Sequence, residues 1–180
     1  MDEATIFQLF QLVRSPQLDL FSIFIDVLFS FEVLFLSILI LFLLKKDKWS
    51  FSLLLGFLLN GLVTLILKLI FCMPRPEIKN VASILPRETY SFPSGHTSNA
   101  FFLAKFLSKH RRKLKYSFYA LAIVVGLFRI YSGLHYPKDV VAGALIGYFS
   151  GFLTLRYEKS IHNIYRTLRK KLRKRKTRKS

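Results

Sequence analysis

Acidic residues are scarce in this chain. Ten Asp and Glu stand against 28 Lys and Arg among 180 residues, for a formal net charge of +18. Yet 52% of the residues are hydrophobic and 19 are Phe. A soluble domain would spread such a charge surplus over its surface, whereas here the cations cluster between apolar runs, as in a membrane protein. Cys72 has no second cysteine to pair with, which excludes an internal disulfide and leaves the redox compartment unspecified. The N-terminal MDEATIFQLFQLV carries neither a basic leader nor a small-residue cleavage pattern, so no removable signal peptide is expected. Internal repeats and low-complexity linkers are also missing, and the length suits one domain rather than two.

What is present is long and apolar. Residues 18–44, 51–71, 96–109, 116–134 and 140–157 can each cross, or nearly cross, a hydrocarbon core of ~30 Å. The expected fold class is therefore all-α, a polytopic transmembrane bundle of about five spans, with six as the alternative. The first run is too long for one crossing and carries Asp19, Asp26 and Glu32 in its first half. Its early part is expected along the interface, with the span itself starting near Ser30. The third run is short, with Lys105 and Lys109 placed to snorkel, which would recess its N-terminal end into the outer leaflet. Ahead of these, residues 4–13 set Ile6, Phe7, Phe10 and Val13 against Gln8 and Gln11, the spacing of an interfacial helix.

Basic residues orient the bundle. Lys45, Lys46 and Lys48 follow the first span, Lys109 to Lys115 follow the third, and the tail from Arg156 adds twelve more, so 20 of 28 fall on one side. By the positive-inside rule that side is cytoplasmic and the N-terminus faces out. Residues 1–160 form the expected membrane domain and 161–180 a basic juxtamembrane tail. Ile161, Ile164, Leu168 and Leu172 recur at helical spacing there, as in an amphipathic helix held by anionic inner-leaflet lipids. The tail's one Tyr, Tyr165, makes no series of aromatics that could serve as a base-stacking platform, so nucleic acid is not an expected partner.

Three clusters fall on the opposite, outer face. KLIFCMPRP places Lys68 and Arg75 seven residues apart, with Asn60 and Thr64 continuing the polar stripe inward. A lysine inside a span needs an anionic partner or water. In PSGH, Gly95 admits close backbone approach, Ser94 offers a hydroxyl at N-cap spacing, and the following helix presents free N–H groups, which together suit an anion. RIYSGLHYPKD sets Arg129 near the end of the fourth span and Pro137 in the first turn of the fifth. Asp139 can then accept from one imidazole nitrogen of His135, leaving the other electron-rich. Singly, each cluster has an ordinary structural explanation. Two histidines, two arginines, a lysine and an aspartate converging on one membrane face do not.

Lys, six residues, Arg-Pro; Pro-Ser-Gly-His; then Arg, five residues, His, three residues, Asp: between Lys68 and Asp139 this resembles the three-part signature of the type 2 phosphatidic acid phosphatase superfamily. Phe128 departs from it, standing where the family usually has Ser. The resemblance implies catalytic roles for His135 as the nucleophile that becomes phosphohistidine, Asp139 as its orienting partner, and His96 as acid and then base. It implies phosphate binding by Lys68, Arg75, Arg129, Ser94 and Gly95. Neither metal nor cofactor is expected, since three cations already neutralise the phosphate. Arg75 follows Cys72 by three residues rather than the six of cysteine phosphatases, so Cys72 reads as an apolar filler. His110 and His162 lie in basic flanks and are expected to be solvated.

The function implied is hydrolysis of a lipid phosphate or diphosphate: undecaprenyl diphosphate, phosphatidylglycerol phosphate, phosphatidic acid or a lipid A phosphate. Arg87, Glu88 and Tyr90 are candidate headgroup contacts. A lipid phosphotransferase would share every catalytic residue, and a non-catalytic lipid-phosphate binding or transport protein would keep the pocket alone. The expected location is the bacterial inner membrane, with the site periplasmic or extracellular. Gly143, Gly147 and Gly151 form a small-residue stripe that lets another helix approach closely. A neighbouring span of the same chain is favoured as its partner, hence a monomer over a homodimer.

Overall fold

The computed structural model describes residues 3–76 and 90–177. Its helices are α1 (Glu3–Leu12), α2 (Pro16–Phe29), α3 (Phe31–Lys45), α4 (Lys48–Phe71), α5 (Gly95–His110), α6 (Lys115–Tyr131), α7 (Pro137–Arg156) and α8 (Glu158–Thr177). A 3₁₀ turn, Arg112–Leu114, leads into α6. Among the described residues there is no strand. Three helices are long and apolar enough to cross a membrane: α4, α6 with its leading turn, and α7. The bent pair α2 and α3 makes a fourth if it counts as one span. With 16 residues, α5 falls short of that length, in keeping with the brevity of its apolar run.

Local chemistry explains the breaks. The long first run is divided at Ser30, where α2 and α3 meet at 47°. Ser30 caps α3 by accepting from Val33 N at 3.3 Å. The Phe29 carbonyl beside the break accepts from Asn99 Nδ2 at 3.3 Å, which matters where no water can do so. α6 stops at Tyr131, short of the expected Leu134, because Gly133 turns the chain through a left-handed conformation at φ 70°. Pro137 then opens α7 at its first position.

α5 is enclosed by its neighbours, with residues 96–100, Phe102, Ala104 and Phe106 buried. Phe57, Phe102 and Phe106 form an aromatic core between α4 and α5. Opposite it, Ile25, Phe29, Ala122 and Val125 close the other side of α5. α4 keeps Leu58, Leu62, Leu65 and Leu69 exposed on its outer face, as a lipid-facing helix must.

The glycine stripe is used inside the chain. A Cβ at Gly147 would lie 2.1 Å from the Ser98 carbonyl oxygen, and one at Gly143 2.4 Å from that of Ser94. Both obstacles are α5 backbone, so α7 seats directly on α5 through this face. A Cβ at Gly151 would meet Lys105 Cβ at 2.9 Å and the Phe102 carbonyl oxygen at 3.1 Å, a milder overlap. Gly147→Ala is therefore expected to destabilise the protein by about 1–3 kcal/mol, the usual cost of overpacking, and Gly151→Ala by less. Thermal unfolding in detergent tests that order, and equal melting temperatures would contradict it.

α8 docks where the α3–α4 turn ends. Ile161 is buried, and the Tyr165 ring stacks near Phe42 and Phe51 while its hydroxyl donates to the Lys46 carbonyl. Lys109 Nζ reaches Glu158 at 2.9 Å, joining α5 to the same end. His110 is exposed and His162 half-buried, as their basic flanks suggest, yet both have neighbours. His110 packs edge-on against Trp49, and both His110 and His162 approach the Glu158 carboxylate, at 3.5 and 3.9 Å. Glu158 is the acid available to that crowd of cations, so it gathers them.

Candidate active site

The three sequence clusters meet at the end of the bundle opposite α8. α4 supplies Lys68 and terminates at Phe71, with Cys72 in the left-handed conformation at φ 44°. Lys68 and Arg75 are therefore not successive turns of one helix. They converge for another reason: the Tyr90 carbonyl accepts from Lys68 Nζ at 2.7 Å and from an Arg75 guanidinium nitrogen at 3.3 Å. The other Arg75 nitrogen donates to the Leu134 carbonyl at 3.0 Å, one residue before His135. Tyr90 thus contributes its backbone to fixing both cations. Arg87 and Glu88 lie outside the described residues.

The turn before α5 is held from two sides. Ser91 N donates to the Met73 carbonyl at 2.9 Å, and Ser91 Oγ to that of Pro74 at 2.9 Å. Ser94 N donates to the Asp139 carbonyl at 3.0 Å, tying PSGH to the first turn of α7. The Ser94 hydroxyl pairs with Thr97 Oγ1 at 3.0 Å. Ser94 stands at the N-cap of α5, as its spacing suggests, but makes no side-chain cap hydrogen bond. Beneath the turn runs a buried polar ladder. Ser98 Oγ donates to Asn60 Oδ1 at 2.9 Å, Thr64 Oγ1 approaches Ser98 Oγ at 3.3 Å, and Asn60 Nδ2 donates to Asn99 Oδ1 at 3.3 Å. The Asn60 and Thr64 stripe thus registers α4 against α5.

His135 and Asp139 are both fully buried. Imidazole Nδ1 stands 3.5 Å from Asp139 Oδ2, an ion-pair distance rather than the expected hydrogen bond. That same oxygen accepts from Tyr136 N at 2.9 Å, closing the first turn of α7. His135 Nε2 is buried and has no hydrogen-bond partner among the described residues. His135 lies in the turn between the last two long helices. Burial foremost, then the Arg129, Arg75 and Lys68 cations and His96, hold its pKa well below the ordinary 6.5. Its imidazole is neutral at physiological pH, the form a nucleophile requires.

Arg129 is buried at the end of α6. Its guanidinium meets a residue whose role the motifs did not reveal: Asp26 of α2, which bonds Arg129 through its carboxylate. His96 Nε2 donates to the Asp26 carbonyl at 3.0 Å and lies 3.3 Å from the carboxylate. The available signal was an acidic residue inside an apolar run, which ordinarily implies a specific partner. Phe128 finds its use in the same contact. Its ring meets Phe21 of α2 edge-on at 4.9 Å and Tyr131 at 5.4 Å. The other end of α2 is fastened by Asp19, which accepts from Arg14 and from the Tyr131 hydroxyl, each at 2.8 Å.

Three cations, two histidines and two carboxylates therefore gather at one end of the bundle, with Arg129, His96, His135 and Asp139 buried and Lys68, Arg75 and Asp26 half-buried. Such a set can hold an oxyanion while a neutral imidazole attacks its central atom. Among the described residues no three metal-ligating side chains come together. A cleft of about 510 Å³ lies between α3 and α4, with Phe31, Gly61, Leu62 and Leu65 on its walls, Glu32 as its one carboxylate, and Lys68 and Gly95 shared with the cluster.

Comparison with known proteins follows the same residues. Phosphatidylglycerophosphatase B of Bacillus subtilis is 31% identical over 132 residues, 67% of this chain and 64% of that protein. The crystal structure of Aquifex aeolicus LpxE superposes with a TM-score of 0.74 at 37% identity, covering 86% of this chain and 94% of that one. The crystal structure of a transmembrane PAP2 type phosphatidylglycerolphosphate phosphatase from Bacillus subtilis gives 0.73 at 29% identity, covering 88% and 85%. The chain spans between 38% and 64% of the length of the first curated relatives it matches. The family profile described as PAP2 superfamily matches residues 49–162. That stretch is more than half of the chain and carries Lys68, Arg75, the PSGH turn, Arg129, His135 and Asp139: the chain belongs to the PAP2 superfamily.

Proposed function

We propose that the protein is an integral membrane phosphatase that hydrolyses a lipid phosphate or diphosphate through a phosphohistidine, without a metal. The observation that carries this reading is the fully buried His135, with an imidazole nitrogen that has no hydrogen-bond partner among the described residues and with Arg129, Arg75 and Lys68 near enough to act on it electrostatically. His135 Nε2 attacks phosphorus and the bond to the lipid oxygen breaks. His96 gives a proton to that oxygen and then takes one from the water that releases phosphate. The three cations offset the charge on the phosphoryl oxygens. Asp139 stabilises the imidazole once phosphorylation makes it cationic.

A lipid substrate fits the cleft between α3 and α4, whose apolar walls can hold a chain while Lys68 meets its phosphate. The basic residues lie at the opposite end of the helices. By the positive-inside rule the site then opens to the periplasmic or extracellular side, with α8 cytoplasmic and α5 completing five crossings. Phosphate release by the purified protein across undecaprenyl diphosphate, phosphatidylglycerol phosphate, phosphatidic acid and lipid A phosphates tests the reading and selects the substrate. Turnover should persist in EDTA and be blocked by vanadate, which adopts the pentacoordinate geometry of the transferring phosphoryl group. Strict dependence on magnesium would overturn the mechanism.

Asp26 is a positioning residue in this scheme, aligning His96 and Arg129 from α2. Asp26→Asn is expected to lower kcat about a hundredfold, the scale of general acid–base catalysis, with the melting temperature kept. A lower KM at unchanged kcat would instead identify the carboxylate as a competitor for the phosphate.

A further inference from the structure

We infer that the end of the bundle remote from the phosphatase pocket carries a second, non-catalytic site, which binds the phosphodiester headgroup of an anionic bilayer lipid. A cleft of about 550 Å³ opens there between the α3–α4 turn and α8. Lys45, Lys46 and Lys48 line it from the turn, and Arg166 and Arg169 line it from α8. The one carboxylate among its lining residues is Asp47, which already caps α4 by accepting from Ser50 N at 2.7 Å and Ser50 Oγ at 2.8 Å. The nearby acid Glu158 is taken up by Lys109, His110 and His162. Five cations thus face one cavity with a single carboxylate.

The cleft is built rather than incidental. Lys46 closes the turn in the left-handed conformation, at φ 48°, and its carbonyl accepts from the Tyr165 hydroxyl. With Ile161 buried and Tyr165 set against Phe42 and Phe51, α8 is fixed so that Arg166 and Arg169 share the cavity with the turn.

Exposed apolar side chains flank those cations and select a lipid over free phosphate. Leu43 and Leu44 precede the turn, while Ile164 and Leu168 adjoin Tyr165 and Arg169, all four being exposed. A headgroup with a phosphodiester and no amine, of the phosphatidylglycerol or cardiolipin kind, satisfies both features: its phosphate enters the basic cleft and its acyl chains cover the leucines. A zwitterionic headgroup would bring a cation into a site that already has five.

Trp49 is the sole tryptophan and follows Lys48 directly, so its fluorescence reports this end of the molecule. The full chain is reconstituted in phosphatidylcholine vesicles containing either brominated phosphatidylglycerol or brominated phosphatidylcholine. Phosphatidylglycerol is expected to quench Trp49 at a mole fraction lower by about tenfold or more, since each cation near an anionic surface contributes roughly a fivefold factor and the effect of two already exceeds ten. The quadruple change Lys45→Gln, Lys46→Gln, Arg166→Gln and Arg169→Gln should remove that preference. The same number of changes at Lys113, Lys115, Lys170 and Lys171, at the same end but outside the cleft, should leave it.

Equal quenching by the two lipids overturns the inference without any variant. Equal loss in both quadruple variants does so as well, because it shows a diffuse charge effect. Displacement of the lipid by millimolar inorganic phosphate would reassign the cleft to a soluble anion and overturn the lipid assignment. None of these outcomes depends on whether His135 is a nucleophile.

Discussion

His135→Ala abolishes phosphate release, with an expected loss of about four orders of magnitude or more, because a covalent route without its nucleophile leaves binding and oxyanion stabilisation alone. No neighbouring group can substitute. Its near neighbours are Asp139 at 3.5 Å and the cations proposed to bind phosphate, and His96 is proposed as the acid and base, held by Asp26. The side chain is fully buried, so its removal leaves a void and the variant must be shown to fold. His135→Gln fills most of that volume and serves as the second variant. Rapid denaturation during turnover should recover an acid-labile, base-stable phosphorylated species from the parent protein and none from either variant. A near-normal rate in a folded His135→Ala protein would eliminate the nucleophile assignment.

The same residue predicts the acid limb of the pH profile. Burial and the surrounding cations keep His135 unprotonated below its ordinary pKa. As pH falls, kcat/KM should therefore hold through about 6.5 before the nucleophile is lost. An acid limb above that value, on a substrate whose own ionisation is accounted for, would contradict the depressed titration.

Asp139→Asn is expected to lower kcat by about three to four orders of magnitude, the scale seen when the carboxylate that orients a catalytic histidine is made neutral. The substitution isolates charge from architecture. The amide is uncharged, yet its oxygen could still accept from Tyr136 N, so the opening turn of α7 should persist and the melting temperature should change little. What is lost is the anion beside the imidazole that the proposed mechanism makes cationic. A comparable loss of stability with retained kcat would make Asp139 a helix-capping residue only.

Lys68, Arg75, PSGH, Arg129, His135 and Asp139 were legible because each motif is short and its spacing is constrained by local geometry. Arg and His at the end of one span and Asp in the first turn of the next meet through a tight turn. The apolar runs announced α4, α6 and α7, and the acids Asp19, Asp26 and Glu32 marked the break in the first run near Ser30. Other contacts were not legible. Asp26 lies 70 residues from His96 and 103 from Arg129. Neither partner can be inferred from spacing, since α2 must first fold back on α6 through Phe21 and Phe128. The role of Tyr90 was hidden for another reason: it acts through its carbonyl, which every residue possesses.

By itself the sequence determined an all-helical chain with apolar runs long enough to cross a membrane, and it carried the three motifs of the family, because hydropathy, charge clustering and motif spacing are local properties. The tertiary structure decided which carboxylate meets which cation. It seated α7 on α5 backbone through Gly143 and Gly147, and it turned an unusual Phe128 into the anchor of α2. It also collected the cations of the α3–α4 turn and α8 around one cleft. Those outcomes depend on helix register and on side chains far apart in the chain reaching a common point, which periodicity along a single helix does not encode.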